Sequence, residues 1–349
     1  MCERIFELIY AKIIRHLSTF CRKTFGNFGQ NAVLKTKLLQ FFVKVLYNIV
    51  NATCGTQEER MSVIFTDTDC ELWHTHIDEL GLKLINMPYT VDGVEYMDDC
   101  GKTTDFKKFF GLLRDKKHAF TSALNTELYR EYFEPYFAAG EEILYIAFSS
   151  NMSGTFNYLD VVVEELSAKY PSARFIRFDT KSISLGAGIQ VYEAAKYWKE
   201  GHTIDEVVEY LGWLRDHSYC TFMVDDLGHL KRGGRLSAAS AFFGGILDIK
   251  PILQVDGEGK LEVATKAKGK KIGLKTLINA VKDNAIDVDK YPVYVLDADD
   301  EEYGVFLYEK VKEALGEGAD VRRQPIGPVI GTHCGPGTLG VVFIGKDKQ

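Results

Sequence analysis

From Met61 onward the chain alternates short apolar runs with stretches of helical periodicity, and that alternation restricts it to an α/β fold. The clearest run, Glu142–Phe148, is apolar after its first residue, as a strand buried on both faces must be. It ends in a hydroxyl-rich loop containing Ser149, Ser150, Ser153 and Thr155. Phe156, Leu159, Val162 and Leu166 then fall at helical spacing, so Ser153 is expected to cap a helix over 153–169. Ser62–Thr66 is the expected first strand. Leu82–Tyr96 has the pattern of an extended hairpin turned at Asp92-Gly93. Further helices are expected over 104–115, 125–139, 186–199 and 203–216, with a strand near 173–178.

Beyond Cys220–Val224 the texture changes. Ile252–Val255 and Leu261–Thr265 flank the turn residues Asp256–Gly259, which is a hairpin signal; a helix, a strand near 293–297, another helix and two strands follow. The pattern predicts a parallel-sheet α/β domain over 61–218 and a second α/β domain over 219–349 with a more antiparallel sheet. A helical extension over 1–60 precedes them. That extension carries nine Lys or Arg against four Asp or Glu, and its patterns at 5–20 and 34–50 are interrupted by Lys12, Arg15 and Lys44. Neither pattern has an unbroken apolar stretch of membrane-spanning length. Its second helix is apolar nearly all round and needs a cover, so a helical hairpin packed on its own domain or on a second subunit is expected, with peripheral attachment to an anionic membrane as the alternative.

Net charge is −7, and no basic aromatic stripe offsets it, which argues against nucleic acid as a partner. Seven scattered cysteines without a Cys-x-x-Cys spacing fit free thiols in a reducing cytoplasm. Gly101-Lys102-Thr103 looks like the end of a phosphate-binding loop, but residue 96 is Tyr rather than the required Gly. Gly186 and Gly188 lack the third glycine of a dinucleotide fingerprint. His74, His76 and Asp78 are better explained as a solvent-facing helix start than as metal ligands. No metal or cofactor is expected.

Three loops carry the polar chemistry: Thr121 and Ser122 before a helix near Thr126, the Ser149–Thr155 loop, and Ile326–Gly337. The last is dense in glycine and proline, which predicts an irregular loop presenting Thr332 and His333. Ligands of open α/β sheets lie beyond the carboxyl ends of strands, where such loops feed helix starts. Together they suggest an anion site built of hydroxyls and helix N-termini.

The ordered segments Phe65–Asp69, Thr121-Ser122, Ser149–Phe156, Phe178–Gly188, Leu230–Ser237, Ile249–Ile252 and Gly327–Gly337 resemble the DegV family, over roughly residues 61 to 346. These are fatty-acid-binding proteins that serve the bacterial fatty acid kinase. Leu124 and Asn125 stand where the family usually has proline and serine, Met152 where it has leucine, and Thr68 where it has serine. The resemblance implies a two-domain plan with a long-chain fatty acid between the halves, presented to a separate kinase subunit for acyl-phosphate formation and phospholipid synthesis. The carboxylate would be held by Thr121, Ser150 and His333, with Ser149, Ser122 and Thr332 as second choices. The acyl chain would lie against Phe242, Phe243, Ile246 and Ile252. Arg232 and Arg235, flanking Gly233-Gly234, would meet the kinase or its phosphoryl group. No side chain need be catalytic in such a carrier. Two alternatives stand beside it: a serine esterase or acyltransferase in which His333 activates Ser150 or Ser153, and a regulatory sensor whose ligand gates partner binding.

Overall fold

The computed structural model describes residues 61–235 and 249–347. The first lobe opens with β1 (Ser62–Asp67), a 3-10 turn over Thr68–Cys70, α1 (His74–Leu80) and β2 (Lys83–Ile85). A hairpin of β3 (Pro88–Val91) and β4 (Val94–Met97) follows, then α2 (Phe106–Arg114), β5 (Ala119–Thr121) and α3 (Thr126–Ala138). It continues through β6 (Glu142–Ala147), α4 (Phe156–Lys169), β7 (Arg174–Asp179), α5 (Leu185–Lys199) and α6 (Ile204–His217). The second lobe contains β8 (Ser218–Met223), α7 (Leu227–Arg232), β9 (Ile249–Val255), β10 (Leu261–Lys268) and α8 (Lys270–Asn284). β11 (Val293–Asp297), α9 (Glu301–Leu315), β12 (Val321–Pro325), α10 (Pro328–Cys334) and β13 (Leu339–Ile344) complete it. The parts of the sequence reading that fall on residues 1–60 and on Phe242, Phe243 and Ile246 lie outside the described residues.

The first lobe's sheet has the order β2-β1-β6-β7 and every pair in it is parallel. Beyond their first residues β1 and β6 are buried along their length, which is why they are apolar runs rather than alternations. Tyr129, Phe133 and Phe137 of α3, one turn apart, are fully buried on this sheet. Phe133 lies 4.8 Å from the Phe65 ring and 5.9 Å from that of Tyr145, ring centre to ring centre. Burial of such a ring contributes about 1.5–3 kcal/mol, and this triplet fixes α3 against β1 and β6.

The second sheet has the order β10-β9-β8-β13-β11-β12, and of its pairs only β11–β12 is parallel. Its two faces are assigned by strand alternation. Met223, Ile252, Val341 and Phe343 point to α8 and α9, where they form a separate core. Cys220, Phe222, Leu253, Val342 and Ile344 point the other way and join the core of the first lobe. The two lobes therefore share one hydrophobic core across the inner face of the second sheet.

Three expectations change. The hairpin does turn at Asp92-Gly93, both with positive φ (53° and 81°), but its first strand begins at Pro88. Lys83–Ile85 instead pairs with β1 in the parallel sheet, because Ile85 is needed in that core. Ser153 does not cap α4; its Oγ accepts the Thr155 N–H at 3.2 Å, and the helix starts at Phe156. The glycine- and proline-rich stretch forms the two-turn helix α10 rather than an irregular loop. Pro328 occupies the first turn, where no N–H is required, and Gly335 ends the helix at φ 76°. Gly331 lies in its middle because a Cβ there would sit 2.8 Å from the Phe110 ring of α2.

Candidate functional site

A cavity of about 200 Å³ lies where the carboxyl ends of β1, β6 and β7 face the inner side of the second sheet. Phe148, Met152 and Ile183 line it from the first lobe, and Phe222, Leu261 and Leu296 from the second. Asp69, Thr121, Ser122, Ser184, Arg235 and His333 are among its polar lining, with Ser153, Thr221 and Thr338. The hydrophobic effect drives an apolar ligand into such a space, and the few polar groups select its head.

Thr121 and His333 meet here from positions far apart in the chain. β5 carries Thr121 and α10 carries His333, and their Oγ1 and Nε2 atoms are 2.9 Å apart. The other ring nitrogen, Nδ1, is buried with no partner among the described residues. Burial, reinforced by the Arg235 guanidinium, pushes the imidazole down to about 4, so it is neutral at physiological pH. Gly233 makes this packing possible: a Cβ there would be 2.3 Å from Nδ1. Its φ is negative, so the requirement is for space rather than for an unusual backbone.

Arg235 also faces the cavity. Its Nε donates to the Met152 carbonyl at 3.2 Å and another N–H donates to the Gly233 carbonyl. Burial lowers the guanidinium's pKa and the charge of Asp69 opposes that shift. The sequence had suggested an outward docking role for both arginines. Arg232 is exposed, but Arg235 turns inward because the chain reverses through Gly234 at φ 73°.

Several candidates are placed elsewhere. The Ser150 hydroxyl is exposed and donates to Asp179 at 2.5 Å, so it joins neither His333 nor the cavity. Ser149 is fully buried and its hydroxyl donates to the Gly259 carbonyl at 2.7 Å. Asn151 Nδ2 donates to the Glu258 carbonyl at 2.6 Å and Lys181 Nζ to that of Gly257 at 3.1 Å. Ser149 and Asn151 of the loop after β6, with Lys181 after β7, thus clasp the β9–β10 turn, while Met152, Ser153 and Gly154 of the first loop line the cavity. Thr332 bonds within its own helix, donating to the Pro328 carbonyl at 2.8 Å. Ile252 packs on the far face of the sheet with Met223, one residue out of phase with the inward-facing Leu253. Thr121, Ser122 and His333 are the candidate head-group residues that the fold brings to the cavity.

Sequence reasoning missed an acidic set beneath this wall. Asp67, Asp69, Glu71 and Asp98 are all buried. Burial raises the Asp67 carboxyl to about 6 despite the Tyr145 hydroxyl donating to it at 2.6 Å. It raises Asp98 to about 7 and Glu71 to about 8. Glu71 has positive φ (55°) and accepts from the Gly327 N–H at 2.5 Å, from the Ser184 hydroxyl, and at its backbone carbonyl from Gln324. It joins the first loop, the start of α5 and the segment leading into α10. The run Asp67, Thr68, Asp69, Cys70, Glu71 directly after a buried strand was the available signal. Among the described residues, no cluster of His, Cys, Asp and Glu is arranged to hold a metal ion. No helix among them is long and apolar enough to cross a membrane.

An apolar cavity at the carboxyl ends of a parallel sheet, roofed by a mostly antiparallel one, defines a two-lobed α/β protein of the small-ligand-binding kind. A family model described as "Uncharacterised protein, DegV family" matches residues 61–346, and the chain belongs to the DegV family. A DegV domain-containing protein of Clostridium perfringens is 37% identical over 287 residues, covering 82% of this chain and 98% of its own. A solved fatty-acid-binding DegV family protein from Streptococcus agalactiae superposes with a TM-score of 0.73 at 26% identity, over 82% of this chain and 100% of that one. A DegV family protein from Thermus thermophilus, described for its fatty acid binding, gives 0.72 at 26% identity with the same coverage. The parallel first sheet and mixed second sheet match these structures.

Proposed function

We propose that this chain is a fatty-acid carrier. It buries a long acyl chain in the cavity between domains 61–218 and 219–349 and presents the carboxylate beside Thr121, Ser122 and His333. A separate kinase subunit then phosphorylates that carboxylate, giving an acyl phosphate for phospholipid synthesis. The observation that carries the reading is the neutral Thr121–His333 pair, 2.9 Å apart, at the polar edge of a mainly apolar cavity. Each buried methylene contributes about 0.8 kcal/mol, so a tail provides the affinity even after its ordering costs. A buried carboxylate is tolerated only when hydrogen-bonded. A hydroxyl pair, a neutral imidazole and the inward Arg235 meet that need, and exposed Arg232 on α7 lies close enough in sequence to offer a kinase a contact.

The described solved relatives bind fatty acids, which supports the ligand class. The esterase alternative is less favoured: Ser150 bonds to Asp179, and Ser153, although it lines the cavity, makes no hydrogen bond to His333 among the described residues.

Native mass spectrometry of protein purified from bacteria should show a co-purified long-chain fatty acid. Thr121→Val, which keeps the shape and removes the hydroxyl, should weaken rebinding by about tenfold or more, the value of a hydrogen bond to a charged group. Protein that neither carries nor rebinds such an acid, or a folded Thr121→Val variant that binds as tightly as wild type, contradicts the proposal.

A further inference from the structure

We propose that Asp69 acts as a neutral hydrogen-bond donor to the ligand's carboxylate, so that an acyl anion is held through one shared proton and released as the solution becomes alkaline. This rests on the fatty-acid-carrier reading and adds to it a specificity group that the hydroxyl motifs do not include.

Asp69 is 5% exposed, lines the cavity, and has an Oδ1 atom with no hydrogen-bond partner among the described residues. Buried polar atoms are almost always paired, so a free one facing a cavity points to a ligand group that completes it. Its backbone is held in a 3-10 turn, where its own N–H is bonded to Asp67 Oδ1 at 3.1 Å. The surrounding groups come from every neighbouring element. Asp67 and Glu71 flank it on its own loop, Asp98 follows β4, His333 comes from α10, and Arg235 follows α7. The other three carboxyls have donors: Tyr145 to Asp67, Ser184 and Gly327 to Glu71, and the Cys100 N–H to Asp98 at 3.1 Å.

Arg235 is the cation of this set, and its charge works against the other influences by favouring the ionised form of Asp69. Burial first, and then the like charges of Asp67, Asp98 and Glu71, raise the Asp69 carboxyl well above its ordinary range. A ligand carboxylate would add a further negative charge. Two carboxylates in one low-dielectric space do not both ionise; they share a proton, as coupled acid pairs do. The O–H of Asp69 donates to a carboxylate oxygen, and Arg235 balances the remaining charge.

The linkage has a definite sign. Below the raised pKa, Asp69 already holds its proton and binding needs none. Above it, each binding event takes up one proton, and affinity falls by at most about tenfold per pH unit. His333 is neutral throughout pH 6–9 and adds no slope, whereas Asp67, Glu71 and Asp98 titrate near or within that window.

Binding of hexadecanoic acid at pH 6, 7.5 and 9 to the whole chain, Asp69→Asn and Asp69→Leu separates these contributions. Wild type should weaken as pH rises. Asp69→Asn, whose amide donates without titrating, should keep the wild-type pH 6 affinity and show a shallower slope, the residue being the share of the other acids. Asp69→Leu should bind about tenfold more weakly than Asp69→Asn at pH 6. A slope in Asp69→Asn equal to wild type, or equal affinities for the two variants at pH 6, overturns the role of Asp69 alone. No binding by wild type at any pH overturns the carrier reading with it. Should the leucine variant fail to fold, the slope of the asparagine variant against wild type decides.

Discussion

Replacing Gly233 with alanine perturbs His333 from the side of its unpaired nitrogen. The new Cβ would lie 2.3 Å from Nδ1 and 3.2 Å from Cε1. Relaxed non-bonded contacts are about 3.5 Å, so the ring must withdraw by roughly 1 Å. A shift of that size disrupts the 2.9 Å contact with Thr121, since hydrogen bonds weaken steeply beyond about 3.2 Å. Overpacking costs about 1–3 kcal/mol of stability. For binding, one hydrogen bond to a charged head group is lost or distorted, about 1.5–3 kcal/mol, which is about 10- to 100-fold in affinity. The neighbouring Gly234 is the control: it has φ 73° but nothing within 4 Å of a Cβ, so alanine there should cost backbone strain of about 1–2 kcal/mol and leave the ring in place. Displacement of a fluorescent acyl probe measures affinity, urea unfolding measures stability, and the imidazole nitrogen resonances report the ring. A folded Gly233→Ala protein with wild-type affinity and unchanged His333 resonances would refute the reasoning.

Glu71 should make stability depend on pH. Its carboxyl is raised to about 8 when folded, against about 4.3 unfolded, so the folded chain holds the proton more tightly. Stability should therefore fall as pH climbs between those values, and Glu71→Gln should reduce the difference between urea midpoints at pH 6 and pH 8; an unchanged difference would assign the effect to the other buried acids. Ser150→Ala should leave fatty-acid affinity within about twofold and lower stability by about 1 kcal/mol, because its exposed hydroxyl serves a half-buried carboxylate outside the cavity. A tenfold loss of affinity in that variant would return Ser150 to the binding site.

The fold was largely legible because its signals are local and redundant. The unbroken apolar run of β6 predicts a doubly covered strand, Asn125 sits where a cap is needed, and Asp92-Gly93 supplies the left-handed pair of a tight hairpin. The site was legible only in part. Hydroxyls announce themselves in a sequence, but their partners do not: Ser149 meets a turn 110 residues away. Glycine and proline content suggested a loop at α10, yet tight packing against Phe110 overrode that local preference. Ile252 was one residue out of phase with the inward face, an error that side-chain alternation makes inevitable when register is unknown. Asp69 received no role of its own although it follows a buried strand, because acids in a loop are usually solvated.

The clasp that the segments after β6 and β7 make on the β9–β10 turn has a consequence for how this protein can diversify. All three of its acceptors, at Gly257, Glu258 and Gly259, are peptide carbonyls, which every amino acid supplies alike. Positions 257 and 258 are free to drift in composition without shifting the walls of the cavity. Gly259 is the exception, since a methyl group there would come within 2.3 Å of the Ser149 hydroxyl and push the lobes apart.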